Sequence, residues 1–324
     1  MNTMHGCVVK DTLKEKKMSE RKLIVFGTAS QVPARTRNQG GYLLRFDDQG
    51  FLFDPGEGTQ RQMIFAGASV SEITKIFITH FHGDHCLGLA GIIQRISLDR
   101  VGHTIEVYFP SSGRQYFEYL RDSSLFHNTA KLKACPVDGP GVIFENENLV
   151  IEAGRLDHDV ETFGYRIQER DSYTLIPQKL FEAGIAGSDI SLLKRLGRIT
   201  IDGRTIDITE VGEMLAGQGF AFVMDTRDCK AARELACGVD LLVCEATFLS
   251  DLASTAWEYG HLTAEQAGRI ARDAGVKKLV LTHFSQRYTS VDELAIEAGR
   301  FHDDVVAATD GAHIPFPKRK RPLL

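Results

Sequence analysis

From about residue 21 the chain settles into short apolar runs separated by segments of helical period. Leu23–Phe26, Tyr42–Phe46, Phe51–Phe53, Lys75–Thr79, Ile105–Phe109 and Val150–Glu152 have the length and apolar continuity of strands, with helical patterns near 59–67, 86–98 and 113–122. In the second half, Phe220–Met224, Leu241–Cys244, Lys278–Leu281 and Val305–Thr309 read as buried strands, and helices are predicted near 228–236, 263–274 and 291–300. Thr263-Ala-Glu-Gln266 forms a capping box, in which hydroxyl and amide satisfy each other's orphan backbone donors, and Gly275 stands where a C-terminal cap belongs. Consecutive strands first and strand–helix alternation later predict a mixed α/β (α+β) fold, two sheets covered by helices on their outer faces. The run LIPQKLFEAGIAGSDISLLKRLGRI breaks the regularity, so residues 168–215 are expected to form a protruding arm or insertion on a domain spanning 21–315. Residues 1–20 read as a polar extension, with Met18 a second plausible start, and residues 316–324 as a mobile basic tail. No short internal repeat is present.

Composition narrows the class without choosing a function. The 324 residues are 43% hydrophobic and 25% charged, with 38 Lys and Arg against 43 Asp and Glu and a net charge of −5. These are the proportions of a globular protein, not of a collagen, a coiled coil or a disordered chain. No stretch approaches the roughly 20 apolar residues of a membrane span, so no membrane partner is expected. The N-terminus lacks the apolar run of a secretion signal, and the six cysteines are scattered without a CxxC pair. A cytoplasmic protein with reduced thiols is the expectation. The acidic balance says nothing against a polyanionic partner, because phosphate binding depends on local charge.

The sharpest chemical signal is Thr79-His80-Phe81-His82-Gly83-Asp84-His85, placed between a strand and a helical pattern. Three imidazoles and a carboxylate in six residues form a dense set of nitrogen and oxygen donors of the kind Zn²⁺ accepts. In such a turn His80 and His82 can point one way and Asp84 and His85 another, which suits two adjacent metals. Further donors stand one step beyond other strand-like runs: His158 after VIEAGRL, Asp225 after FAFVM and His283 after KLVLT. Asp225 could bridge two cations with its two oxygens, or serve as a helix N-cap, or both.

HxHxDH followed by His, Asp and His, each at a strand end, resembles the metallo-β-lactamase superfamily and, within it, the tRNase Z (ribonuclease Z) family. The resemblance covers roughly residues 22–313 and rests on FGTASQVPARTRN, FDPGEGTQRQ at 53–62, THFHGDHCLGLAG at 79–91, HDVETFGYRI at 158–167, MDTRDC at 224–229, CEATF at 244–248, HLTAEQAG at 261–268 and THFSQRY at 282–288. It implies a four-layer αββα sandwich and hydrolysis of precursor tRNA at its 3′ trailer, by a homodimer. It also implies two Zn²⁺ ions, one on His80, His82 and His158, the other on Asp84, His85 and His283, with Asp225 bridging. Mn²⁺ or Fe²⁺ would accept similar donors. In the family the aspartate at the place of Asp84 also accepts a proton. A pair of metals lowers the pKa of water toward ~7 and clamps phosphate oxygens during in-line displacement.

Two departures from the family pattern bear on substrate. Cys244 stands where a histidine usually opens the HEATF segment and is thought to protonate the leaving oxygen. Glu245 remains and could orient His261, or could form a strand-end salt bridge. The arm lacks the family's Gly-Pro element, though Lys179, Lys194, Arg195 and Arg198 keep it basic, whether for phosphate contacts or as an ordinary solvated face. Thr59, within FDPGEGTQRQ, marks either an anion cradle or a capped tight turn, and Arg287 is a candidate phosphate clamp or a surface ion pair. Phe284 and Tyr288 either pack the site or stack on a terminal base. Alternatives to precursor tRNA are a small phosphodiester or other ester on the same fold, or RNA binding with weak catalysis.

Overall fold

The computed structural model describes residues 21–319. The extension 1–20 and tail residues 320–324 lie outside the described residues.

Two seven-stranded sheets make the body. The first runs His313–Pro315, Lys22–Gly27, Gly41–Phe46, Gln49–Phe53, Lys75–Phe77, Ile105–Pro110, Leu132–Val137 from edge to edge. Its first four strands pair antiparallel and the rest parallel. The second runs Val305–Ala307, Lys278–Thr282, Leu241–Glu245, Gly219–Val223, Phe163–Glu169, Leu149–Arg155, Gly141–Glu145. Here the first four are parallel and the last three antiparallel.

Strand periodicity decides which side chain enters which layer. Leu23 and Val25 point into the space between the sheets, where they join Phe53, Phe77, Phe220 and Phe222, while Ile24 and Phe26 point outward under helices Thr59–Phe65 and Leu89–Leu98. On the other sheet Leu241 and Val243 face inward, while Leu242 and Cys244 face outward among residues of helices Lys230–Ala236 and Ala264–Asp273. The result is a helix–sheet–sheet–helix sandwich with an aromatic centre: Phe53 stacks on Phe222 at 4.7 Å between centroids, and Phe77 meets Tyr165 at 5.0 Å.

Three polar contacts sew the sheets together along one rim. The Tyr165 hydroxyl donates to the Ile78 carbonyl at 2.7 Å, the Phe163 amide donates to the Thr79 carbonyl at 3.0 Å, and the Tyr42 hydroxyl lies 2.7 Å from Thr282 Oγ1. This rim holds the loops that follow Phe77, Arg155, Val223, Glu245 and Thr282.

The stretch expected to interrupt the body has its own small core. Ser172–Leu175 pairs with Gly212–Leu215, Arg198–Ile201 pairs with Arg204–Asp207, and helices Pro177–Glu182 and Ser188–Leu196 pack Leu180, Leu193, Ile199 and Ile206 together. The start of the tail, expected to be mobile, is docked: Phe316 is buried against Phe46, and Arg319 and Arg21 share the carboxylate of Glu169. Its aromatic ring and guanidinium find partners on the sheet ends, which its proline-rich, basic composition does not reveal.

Removing the Phe222 ring leaves a hole at the centre of the aromatic stack. Phe222→Ala is expected to lower unfolding stability by about 3–5 kcal/mol, read by chemical denaturation; a loss below about 1 kcal/mol would contradict this account of the core.

Candidate metal centre

The parallel registers Val223↔Cys244 and Glu245↔Thr282 bring Asp225, Thr247 and His283 to one edge. Across the sandwich, Phe53↔Phe77 sets Asp54 beside the loop that carries Thr79 to His85. His158 arrives from the loop after Leu149–Arg155. The donors gather into neighbouring groups, His80 with His82, His158 and Asp225, and Asp84 with His85 and His283. One carboxylate stands between them: Asp225 Oδ2 is 3.7 Å from His80 Nε2, 3.9 Å from His158 Nε2 and 3.3 Å from His85 Nε2, while Oδ1 is 3.2 Å from His283 Nε2.

These groups fit divalent metal ions. His80 Nε2, His85 Nε2, His283 Nε2 and Asp225 Oδ1 are buried without a hydrogen bond, which is costly unless another partner binds them. The 3.2–3.9 Å separations of the imidazole nitrogens from Asp225 suit ligands of shared cations, since metal–nitrogen bonds of about 2.0–2.1 Å put tetrahedral ligands about 3.4 Å apart. The charges agree. Burial would lower the pKa of His85, yet Asp225 and Asp84 hold it well above the ordinary value. Burial would raise Asp84, and His85 with His283 hold it below the carboxylate range instead. His80, buried beside His85, is pushed well down, which keeps its imidazole neutral and able to ligate.

Four of the five ligand imidazoles, all but His82, are aimed by their other nitrogen. His158 Nδ1 donates to the Gly260 carbonyl at 3.0 Å, and His85 Nδ1 donates to Asp54 Oδ2 at 2.9 Å. Thr79 gives its hydroxyl proton to Asp54 at 2.7 Å, so its oxygen accepts from His80 Nδ1 at 3.0 Å. Thr247 repeats the device, donating to Glu245 Oε2 at 2.7 Å and accepting from His283 Nδ1 at 2.9 Å. All four Nε2 lone pairs are thereby turned toward Asp225. Asp54, Asp225 and His283 adopt left-handed backbone conformations (φ 40°, 45° and 61°), a local strain that the surrounding contacts hold in place. Gly260 is required: a Cβ there would lie 2.6 Å from His158 Nδ1.

The structure sorts the other candidates. Glu245 is fully buried; its Oε1 accepts from the Thr226 amide at 2.7 Å and lies 3.1 Å from His261 Nδ1. A ring nitrogen of His261 comes within 4.8 Å of the Asp225 and His283 donors. Burial would lower its pKa, but Glu245 and Asp225 raise it to about 9. Arg287 is exposed, its guanidinium 5.1 Å above the Phe248 ring. Lys194 and Arg195 are exposed on the last turn of helix Ser188–Leu196, in the arm and outside the donor groups.

The geometry also decides between readings that the sequence left open. Thr59 is fully buried and gives its hydroxyl to the Gly56 carbonyl at 2.8 Å, so it closes the turn and leaves no side-chain surface for an anion; the N-cap there is Gly58. Cys244 shares strand parity with Leu242, faces the helix layer and has its thiol pKa raised by burial, so it has no part in proton donation. Asp225 caps no helix, since the next helix begins at Lys230 with Cys229 as its N-cap. Phe284 is buried and the Tyr288 hydroxyl accepts from the Leu249 amide at 2.9 Å, so both pack the site. Sequence reasoning missed Asp54 and Thr247 as orienting groups, although each lies inside a motif it singled out, and it passed over Thr79.

Comparison with known proteins agrees with this geometry. Residues 39–165 match the metallo-beta-lactamase superfamily and residues 208–284 the beta-lactamase superfamily domain. The ribonuclease Z of Nocardia farcinica is 54% identical over 94% of this chain and 100% of its own length, and that of Streptomyces avermitilis 51% over 93% and 100%. The crystal structure of human tRNase Z, short form, superposes with a TM-score of 0.66 at 25% identity, covering 92% of this chain and 100% of that one.

Asp54→Asn keeps the shape of the group behind His85 and removes its charge. A zinc titration against a chromophoric chelator should show binding about 10–100-fold weaker than wild type; equal affinity would mean that Asp54 does not tune the site.

Proposed function

The chain belongs to the ribonuclease Z family, and from that premise we propose how it works: it is an endoribonuclease that removes the 3′ trailer from precursor tRNA, using two zinc ions, as a homodimer in the cytoplasm. The observation that carries the reading is the set of buried, unbonded imidazole nitrogens converging on Asp225. His80, His82 and His158 would hold one ion, Asp84, His85 and His283 the other, and Asp225 both. Bound there, the ions would supply Lewis acidity toward phosphate oxygens and lower the pKa of water. Imidazole-rich sets favour zinc, though Mn²⁺ and Fe²⁺ accept the same donors.

The protein's own groups do the rest. Asp84 accepts a proton from the attacking water, a role supported by its place beside His85 and His283. His261, backed by Glu245 and held protonated at neutral pH by its carboxylate neighbours, gives a proton to the leaving oxygen. Arg287 offers a guanidinium to a phosphate beside the site, and Lys194 and Arg195 offer the arm's charge to the RNA backbone.

The dimer reading rests on apolar exposure. Ile64, Phe65 and Leu87 are 63%, 65% and 54% exposed. Ile64 and Phe65 end helix Thr59–Phe65, which meets helix Leu89–Leu98 where Gln60 approaches Gly91, and Leu87 lies just before that second helix; exposed apolar side chains of this kind suit a second copy of the chain.

Metal analysis with a labelled precursor tRNA tests the chemistry. Wild type should carry two zinc ions per chain and cut 3′ of the discriminator base. Asp84→Ala should abolish cutting with the fold retained, and His261→Ala should lower kcat about 10²–10⁴-fold. Cleavage of bis(p-nitrophenyl) phosphate but not of precursor tRNA would overturn the substrate assignment. Separately, Ile64→Asp combined with Leu87→Asp should turn a dimer into a monomer in light scattering; an unchanged mass would place the interface elsewhere.

A further inference from the structure

The aromatic residues that close the centre from below are spent on packing, which leaves a different ring open beside it. Trp257, the one tryptophan of the chain, is 61% exposed at the end of helix Ala253–Glu258. It is tied to the centre from both sides. The helix ends on Gly260 in a left-handed turn, the Gly260 amide donates to the Trp257 carbonyl at 3.2 Å, and the His261 amide donates to the Ala256 carbonyl at 2.8 Å. The Gly260 carbonyl in turn holds His158. Trp257 is therefore fixed by backbone bonds relative to both a metal ligand and the residue assigned as proton donor.

Arg227 completes the mount. Its Nε donates to the Trp257 carbonyl at 2.7 Å, and its terminal nitrogens reach Asp157 and Asp159, the neighbours of His158, at 3.3 and 3.2 Å. The same guanidinium lies 5.3 Å from the centre of the indole, so the ring has a cation behind it and solvent in front. Both ends of the segment are pinned as well, since the Ser250 and Glu265 amides both donate to the buried Glu297 carboxylate at 3.0 Å. A large exposed ring on so constrained a backbone contributes nothing to the core.

We propose that Trp257 is a stacking platform for an unpaired nucleobase of the RNA strand next to the scissile phosphate. The inference rests on the RNA-cleaving reading above and adds a binding residue to it. A tryptophan face accepts any base, so the contact would hold the single-stranded end in place without selecting its sequence.

The single tryptophan makes the contact directly observable. An oligoadenylate added to the wild-type protein should quench the indole fluorescence. Trp257→Ala should raise KM for precursor tRNA by about fivefold or more, with kcat on the precursor and on bis(p-nitrophenyl) phosphate unchanged, and Trp257→Phe should recover most of the loss. Abasic nucleotides flanking the cut should weaken binding to wild type while leaving Trp257→Ala indifferent. Absence of quenching, equal abasic sensitivity in the two proteins, or a change of oligomeric state in Trp257→Ala, which would assign the ring to a subunit interface, overturns the proposal. If wild type bound and quenched with oligoadenylate yet failed to cut precursor tRNA, the substrate reading would fall and the stacking contact would stand.

Discussion

Everything at the working edge depends on one electrostatic constraint: ionisable groups are crowded into a buried space where they satisfy one another poorly. Asp225 stands within 4 Å of four imidazoles, and three of those imidazoles present nitrogens with no hydrogen bond. Paired imidazoles and carboxylates do not by themselves offset the loss of hydration. Divalent cations do, because each satisfies several lone pairs at once. Metal binding and folding of this edge are therefore linked, and the affinity of the site reflects the stability of the loops that carry it.

The sandwich provides the order this crowding requires. Neutral imidazole ligates only through the nitrogen that lacks a proton, so each ring needs a partner for the other nitrogen. Asp54, Thr79, Thr247 and the Gly260 carbonyl supply those partners from loops of both sheets. The hydroxyls of Thr79 and Thr247 each pass their own proton to a buried carboxylate, which leaves the oxygen free to accept from histidine. Two carboxylates thus fix three imidazoles. The left-handed conformations of Asp54, Asp225 and His283 are the backbone counterpart of the same order: the Asp54 amide donates to the Phe77 carbonyl, and the Phe284 amide, next to His283, donates to the Thr28 carbonyl.

The ligands were legible because their signals are local or repeated. His80 to His85 is dense in itself, and His158, Asp225 and His283 each follow a recognisable apolar run. The strands that sequence reading missed have physical excuses. Phe163–Glu169 alternates Phe, Tyr and Ile with Gly, Arg and Gln, and its outward Arg166 donates to the carbonyls of Leu235 and Cys237 at the end of the neighbouring helix. Leu132–Val137 and Gly141–Glu145 are edge strands, partly exposed and without a continuous apolar run. The motif comparison at Cys244 needed one more step. Counting positions in a motif ignored strand parity, and Leu242 two residues earlier already marked that face as helix-covered. The orienting threonines carried no signal of their own, since a threonine beside a histidine reads the same whether or not its hydroxyl is used.

The donor cluster and the arm rest on separate apolar cores. The arm closes its own apolar cluster around Leu193 and Ile206 and joins the body through the paired strands Ser172–Leu175 and Gly212–Leu215. Helix Ser188–Leu196 packs Leu193 into that cluster, apart from the sheets that set His158 and Asp225. Cys244 obeys the same logic from the other direction. It lies one residue from Glu245, yet strand pleating places it in a different layer, where a small thiol packs among apolar side chains. The fold thus assigns positions adjacent in sequence to different layers and gathers positions distant in sequence into one donor cluster.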